Sequence, residues 1–288
     1  MVTIESLRRK IESAAELGQV VSTMKAMAAL NIGQYEQAVH SLKEYYNTVA
    51  LGITAYLRRN KAFMMPESAE AQTHVAIVFG SDQGLVGSFN HQLVQFAEAK
   101  LKLLPGTIQV WTIGERTNVG LADAGLDIRK TFAVPGSLDG VTPLIGKLIL
   151  EIETEREREE TVEFWIIHNR SHSGLHYEPT QHRLFPLDDK WQQEFQHTNW
   201  PTNNLPNIAG NPDVTLLALI REYLFVSLYQ SCIESLASEN ESRLASMQRA
   251  EKNIEELLDE LRNTYHQFRQ NSIDEELFDV VSGFEALK

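Results

Sequence analysis

Apolar positions recur from residue 4 to residue 56 in alternating steps of three and four, at Leu7, Ile11, Ala14, Val21, Ala28, Ile32, Tyr35, Val39, Leu42, Tyr46, Val49, Ile53 and Tyr56. Steps averaging three and a half residues keep one narrow stripe turned to a partner helix, which is the seam of a coiled coil. Only Gly18 and Lys25 interrupt it. A helix of that extent is about 80 Å long at 1.5 Å rise per residue, more than a small domain can bury. A second register starts near Leu216 and passes Leu224, Ile233, Leu236, Leu244, Met247, Ala250, Ile254, Leu257, Leu261 and Phe268 to reach Leu277 and Val281. The two ends are predicted to pair as antiparallel strands of one coil, since the segment between them returns the chain to its starting side.

That segment changes period. HVAIVF (His74–Phe79), IQVWTIG (Ile108–Gly114) and VEFWIIHN (Val162–Asn169) read as buried strands, with a fourth near Arg183. Helical stretches follow the first strand, then span Glu115–Ala124 and Val141–Arg158. The predicted fold is therefore α/β: a long antiparallel coiled coil of N- and C-terminal helices plus a small, mainly parallel Rossmann-like domain. The expected segments are a coil helix over 1–60, the α/β domain over 73–187, a Pro- and Asn-rich loop over 188–212 and a second coil helix over 213–288.

Composition narrows the function. At 288 residues and 43% hydrophobic content the chain holds one or two ordinary domains. No run of eighteen apolar residues is present, so no direct membrane insertion is expected, and the chain opens on a charged periodic segment rather than an apolar signal region. The net charge of −13 argues against nucleic acid as a partner. Cys232 is the single cysteine, which rules out an internal disulfide.

Three features invite a chemical reading. Ser81, Asp82, Gly84 and Gly87 follow the first strand, where open α/β sheets bind ligands, yet neither GxGxxG nor GK[ST] is present. His168, His172, His176 and His182 form a string without metal-ligand spacing on a helix. No nucleophile motif stands among the Ser, His and Asp residues. Neither a catalytic residue, a cofactor nor a metal is expected from the residues themselves. A stand-alone coiled-coil scaffold and a nucleotide-binding α/β enzyme are the alternative classes.

Several motifs carry a resemblance. ESLASE (Glu234–Glu239), the Arg243 and Met247 that follow it, Arg269-Gln270 with Ile273, and VSGFEAL from Val281 stand in order near the C-terminus. IESLRRKI from Ile4, STMKAMAA from Ser22 and SDQGLVGSFN from Ser81 precede them. Together they resemble the gamma subunit of rotary F-type ATP synthases, the central shaft of the catalytic head. Gln19, Ser22 and Asn31 stand where that family usually carries lysine, and Val86 where it commonly carries cysteine. The resemblance implies a non-catalytic rotor that couples ion flow through a membrane c-ring to ATP synthesis or hydrolysis. Its implied partners are the alpha and beta subunits of the catalytic ring, an epsilon subunit and the c-ring, peripherally on the cytoplasmic side of an energy-transducing membrane. It further implies coupling contacts to beta subunits at Met24 and Lys25, with Arg269 and Gln270 opposite them, and an apolar shaft tip at Val281, Phe284 and Leu287.

Overall fold

The computed structural model describes residues 3–59, 72–158, 161–172, 176–187, 191–193, 195, 200, 202, 204 and 210–285, with backbone alone for 172, 176 and 283–285. The elements are α1 (Ile4–Arg59), β1 (Thr73–Phe79), α2 (Phe89–Leu101), β2 (Thr107–Ile113), α3 (Glu115–Asp123), β3 (Ile128–Phe132), α4 (Leu138–Arg158), β4 (Val162–His172), β5 (His176–Phe185) and α5 (Pro212–Glu285). Two compact units result, one of Met1–Ala29 with Arg243–Lys288 and one of Leu30–Ser242. The predicted segments cut the chain at the helix ends, whereas these units cut it within α1 and α5, so that each helix contributes to both.

In the first unit α1 and α5 pair through a heptad seam. Leu7, Ala14, Val21 and Ala28 are buried at successive seventh positions of α1, and Met247 and Ile254 are buried on α5. Met24, Ala250 and Leu258 pack beside Val21, Met247 and Ile254. The two interruptions of the apolar register fall on this seam. A Cβ at Gly18 would lie 3.5 Å from Ile254 Cγ2, so the small residue lets the backbone come close to the isoleucine. Lys25 Nζ lies 2.6 Å from Glu251 Oε2. As α1 advances from Gly18 to Lys25 its neighbour on α5 recedes from Ile254 to Glu251, which makes the pairing antiparallel.

The second unit is a five-stranded sheet of order β3-β2-β1-β4-β5. β1 pairs in parallel with β2 and β4, β2 with β3 likewise, and β5 runs antiparallel to β4. Alternate residues of β1 serve opposite faces, as strand geometry requires. Ala76 and Val78 join Leu93, Ala97 and Leu101 of α2 and Leu121 of α3. Val75, Ile77 and Phe79 join Ile145, Leu148 and Ile152 of α4 and Leu228, Ile233 and Leu236 of α5. A stretch of α5 reaches a mean hydropathy of 1.3, enough by length and composition to cross a membrane. Its Leu224, Leu228 and Ile233 are buried in this core, and Val226 is buried against Ile53 and Trp191.

β3 escaped the sequence reading. Its five residues, IRKTF, alternate half-buried and exposed, and the half-buried middle position is Lys130, whose charge hides the period. Lys130 sits in the sheet because its ammonium stands 4.3 Å from the centre of the Trp111 ring and pairs with Glu151. Within the predicted loop 188–212, residues 191–193 and 195 are helical, and Trp191 and Phe195 pack with Ile53, Tyr56 and Leu216. Most of the remaining loop lies outside the described residues.

Gly80, at the end of β1, has no room for a side chain, since a Cβ there would meet Thr117 Oγ1 at 1.7 Å and Cβ at 2.5 Å. Thr117 is fully buried and cannot withdraw to solvent. Gly80→Ala is expected to destabilise the protein by about 1–3 kcal/mol through overpacking, measured by urea denaturation.

Candidate functional site: a polar seam between helix and sheet

In a parallel sheet of this order the strand connections diverge between β1 and β4, and the crevice outside their carboxyl ends is where such folds take ligands. The turn after β1 is spent on the structure itself. Asp82 Oδ1 accepts the Glu115 N–H at 2.9 Å, at the start of α3, and Oδ2 accepts the Val134 N–H at 3.0 Å. The Ser81 N–H donates to Thr117 Oγ1 at 3.2 Å, and the Asn90 amide donates to Ser81 Oγ at 2.8 Å. Leu85 and Gly87 turn the chain with φ of 63° and 54°. The carboxylate thus stitches two segments together and has no oxygen left unengaged by the backbone.

The crevice is occupied by α5. Ser235 Oγ donates to the carbonyl of Phe79, the last residue of β1, at 2.9 Å. Ser238 Oγ is shared between Glu234 O at 2.8 Å and Asn169 O of β4 at 3.2 Å. Ser242 Oγ donates to Val86 O in the turn at 2.6 Å. On the β4 side, Ser171 Oγ donates to the Glu241 carboxylate at 2.7 Å. Ser235, Ser238 and Ser242 lie three, four and seven positions apart, so they form one face of the helix. ESLASE, the stretch that carried the family resemblance, is therefore the docking strip of α5. Its two serines, Ser235 and Ser238, flanking Leu236 and Ala237, were the signal for a helix packed on strand-end carbonyls.

Beside the strip lies a cleft of about 880 Å³ whose lining includes Lys43, His40, His168, Arg170, His182 and Glu234. His168 Nε2 is 2.9 Å from Glu234 Oε2, with Arg170 Nε at 3.5 Å. Burial alone would raise the Glu234 carboxyl. Hydrogen bonds from His168 and Gln230, with the charge of Arg170, hold it below its ordinary value. Burial, with His168 alongside, lowers the His182 imidazole to about 4. The rings of His168 and His182 meet edge to face at 5.9 Å. Of the histidine string these two come together, while the side chains of His172 and His176 lie outside the described residues. Among the described residues no group of three His, Cys, Asp or Glu is placed to hold a metal. Burial also pushes the Cys232 thiol up to about 12, so almost no thiolate is present for redox chemistry near neutral pH.

The expected coupling residues are not brought together. Met24 is half-buried against Val21, Met247 and Ile254. Lys25 is held by both carboxylate oxygens of Glu251, at 2.7 and 2.6 Å. Arg269 and Gln270 are exposed and lie 18 and 19 positions beyond Glu251 on α5, about 27 Å along the helix. They do not stand opposite Met24 and Lys25 as expected, because antiparallel pairing sets Lys25 against Glu251 and carries Arg269 away from it. Val281 is 50% exposed. The Phe284 side chain and Leu287 lie outside the described residues.

These features define a class: an α/β domain inserted between two terminal helices that pair with each other, with the second helix docked across the sheet's ligand crevice. Residues 3–287 match the family described as ATP synthase, and the chain belongs to that family, among its gamma chains. A gamma chain of Geotalea daltonii is 27% identical over 296 residues, and one of Glaesserella parasuis is 26% identical over 293, each alignment covering the whole of both chains. A chain of the Euglena gracilis mitochondrial ATP synthase, solved as OSCP/F1/c-ring, is similar in fold with a TM-score of 0.63. It is 13% identical, and the match covers 99% of this chain and 94% of that one. A chain from the central stalk/c-ring of the Tetrahymena thermophila enzyme scores 0.60 at 16% identity, over 80% of this chain and 99% of that one.

Two outcomes follow. His182 has its folded value lowered from 6.5 to about 4, so between those values the unfolded chain binds the extra proton. Its contribution is complete above pH 6.5 and is lost as the pH falls towards 4. Urea titrations at pH 7 and pH 5 should show a smaller acid-induced loss of stability in His182→Gln than in wild type. Lys25→Glu and Glu251→Lys should each lower stability by about 1 kcal/mol, and the exchanged pair should recover most of it in a double-mutant cycle.

Proposed function

We propose that this chain is the rotating central shaft that couples ion flow through a membrane c-ring to ATP synthesis or hydrolysis in a ring of alpha and beta subunits. Catalysis belongs to the ring, and this chain biases its conformations. The observation that carries the reading is the uncovered apolar surface of α1 and of the end of α5 that runs beyond it. Leu17, Val20 and Met27 of α1 are exposed, as are Ile273, Leu277, Phe278, Val280 and Val281 of α5. Apolar side chains in such number, away from a buried seam, mark a surface that another protein covers. A ring around a helix pair supplies that cover. Because the two helices differ in sequence, each catalytic interface meets a different face, and differential contact is what shifts a partner between conformations.

On this reading Arg269 and Gln270 are exposed contacts to beta subunits, and Met24 and Lys25 contribute through the edges they leave open beside the seam. The tip at Val281, Phe284 and Leu287 turns in an apolar sleeve. The α/β domain meets the epsilon subunit and the c-ring, and the chain works peripherally on the cytoplasmic side of the membrane. Arg269 suits a partner carboxylate because its planar fork engages both oxygens.

The test is reconstitution with purified alpha and beta chains. The expected product holds one copy of this chain and hydrolyses ATP faster than the ring alone. A stable symmetric oligomer of the chain that leaves the ring's turnover unchanged overturns the reading. In the same assay Arg269→Ala should leave the thermal stability of the isolated chain within about 0.5 kcal/mol of wild type. Assembly or turnover should fall at least roughly tenfold, as truncating an interfacial charge pair does. Turnover equal to wild type at every salt concentration would show that Arg269 is a solvated helix residue.

A further inference from the structure

We infer that Ser235 and Ser242 are positioning residues that lock α5 to the β1 side of the sheet, as Ser238, Glu234 and Glu241 bind it to β4, so that part of the load on the α/β domain reaches the helix through their hydroxyls. The inference rests on the shaft reading and deepens it. The apolar contacts of α5 with the sheet, through Leu228, Ile233 and Leu236, favour burial without being directional. Hydrogen bonds are directional and weaken steeply with distance and angle. Ser235 bonds the end of β1 at 2.9 Å and Ser242 bonds the following turn at 2.6 Å. The two are seven positions apart on one face, so they grip the sheet side at two levels. A slide of α5 by one turn, about 5.4 Å, breaks both. Both serines are buried, at 3% and 6% exposure, which leaves no water to replace the lost partners cheaply.

Ser→Ala removes only the hydroxyl and favours the helix, since alanine is the better helix former. In the complex assembled with alpha and beta subunits and the membrane sector, the double variant Ser235→Ala/Ser242→Ala is therefore expected to fold and assemble. Losing two buried bonds should raise the opening of the helix from the sheet roughly thirtyfold, read as faster hydrogen exchange at the carboxyl end of β1 and in residues 231–242. ATP hydrolysis by the ring without an ion gradient should stay within about twofold of wild type, because the helix pair is untouched. Ions pumped per ATP hydrolysed should fall by at least half. Should the double variant fail to assemble, Ser242→Ala alone is read by the same ratio, with a smaller fall expected. An unchanged pumping ratio in whichever variant assembles overturns the inference, whatever the exchange rates. Absence of stimulated hydrolysis with the wild-type chain would instead strike at the shaft reading itself.

Discussion

The carboxyl ends of parallel strands present carbonyls that require donors when buried, and here α5 supplies the donors for the two central strands. Everything at that edge of the sheet is arranged around this. The turn after β1 folds back on Asp82 and Asn90 rather than opening as a cradle, and Gly80 and Gly114 bring the chain so close that a Cβ at Gly114 would lie 2.7 Å from the Ser81 backbone. The donors come from far along the chain, because Ser235 and Phe79 are 156 residues apart. The first strand is thus completed by the last element. Closing a loop of that length costs entropy before its contacts form, so the sheet and the second helix are coupled in folding as well as in the finished structure.

The helix pairs use polar residues differently. On α5 the buried positions Val226, Ile233, Asn240, Met247 and Ile254 fall seven apart, with one asparagine among the hydrophobes. Asn240 accepts a bond from Asn31 Nδ2 at 3.2 Å and donates to Leu236 O at 2.8 Å. A polar residue at a seam position costs stability but penalises a slipped register, in which it would be buried without a partner. Asn31–Asn240 does this in the second unit. Lys25–Glu251 does it in the first unit, at a more exposed position.

The heptad period was legible because seven-residue spacing survives whatever lies between. So were the strands β1, β2 and β4, whose apolar runs are flanked by Gly or Asn. The place of Gly18 and Lys25 as interruptions was visible, but their partners were not, since Ile254 and Glu251 are more than two hundred residues away. The same gap misled the pairing of Met24 with Arg269. Which residues face one another in an antiparallel pair depends on where the intervening domain releases the chain, and no local pattern encodes that. β3 was hidden by Lys130, which reads as solvent-facing until Trp111 and Glu151 are seen beside it. The ESLASE strip was noticed as a family motif, while its physical purpose needed the strand-end carbonyls in view.

The charges around Met24 bear on how a shaft of this kind meets its ring. Gln19, Ser22 and Asn31 carry no charge, and the ammonium of Lys25 is paired with Glu251. The nearby exposed apolar side chains are Leu17, Val20 and Met27, with Glu16, Gln19, Ser22 and Thr23 exposed among them. Under the proposed reading, contact of this part of α1 with the ring rests more on shape and apolar burial than on positive charge. The exposed guanidinium of Arg269 lies farther along α5, with Asp274, Glu275 and Glu276 following it. Interactions of such exposed charges fade beyond roughly 8 Å at physiological ionic strength. Under the proposed reading, the exposed side of α1, away from the seam, offers the ring an apolar surface, and the far part of α5 offers it charge.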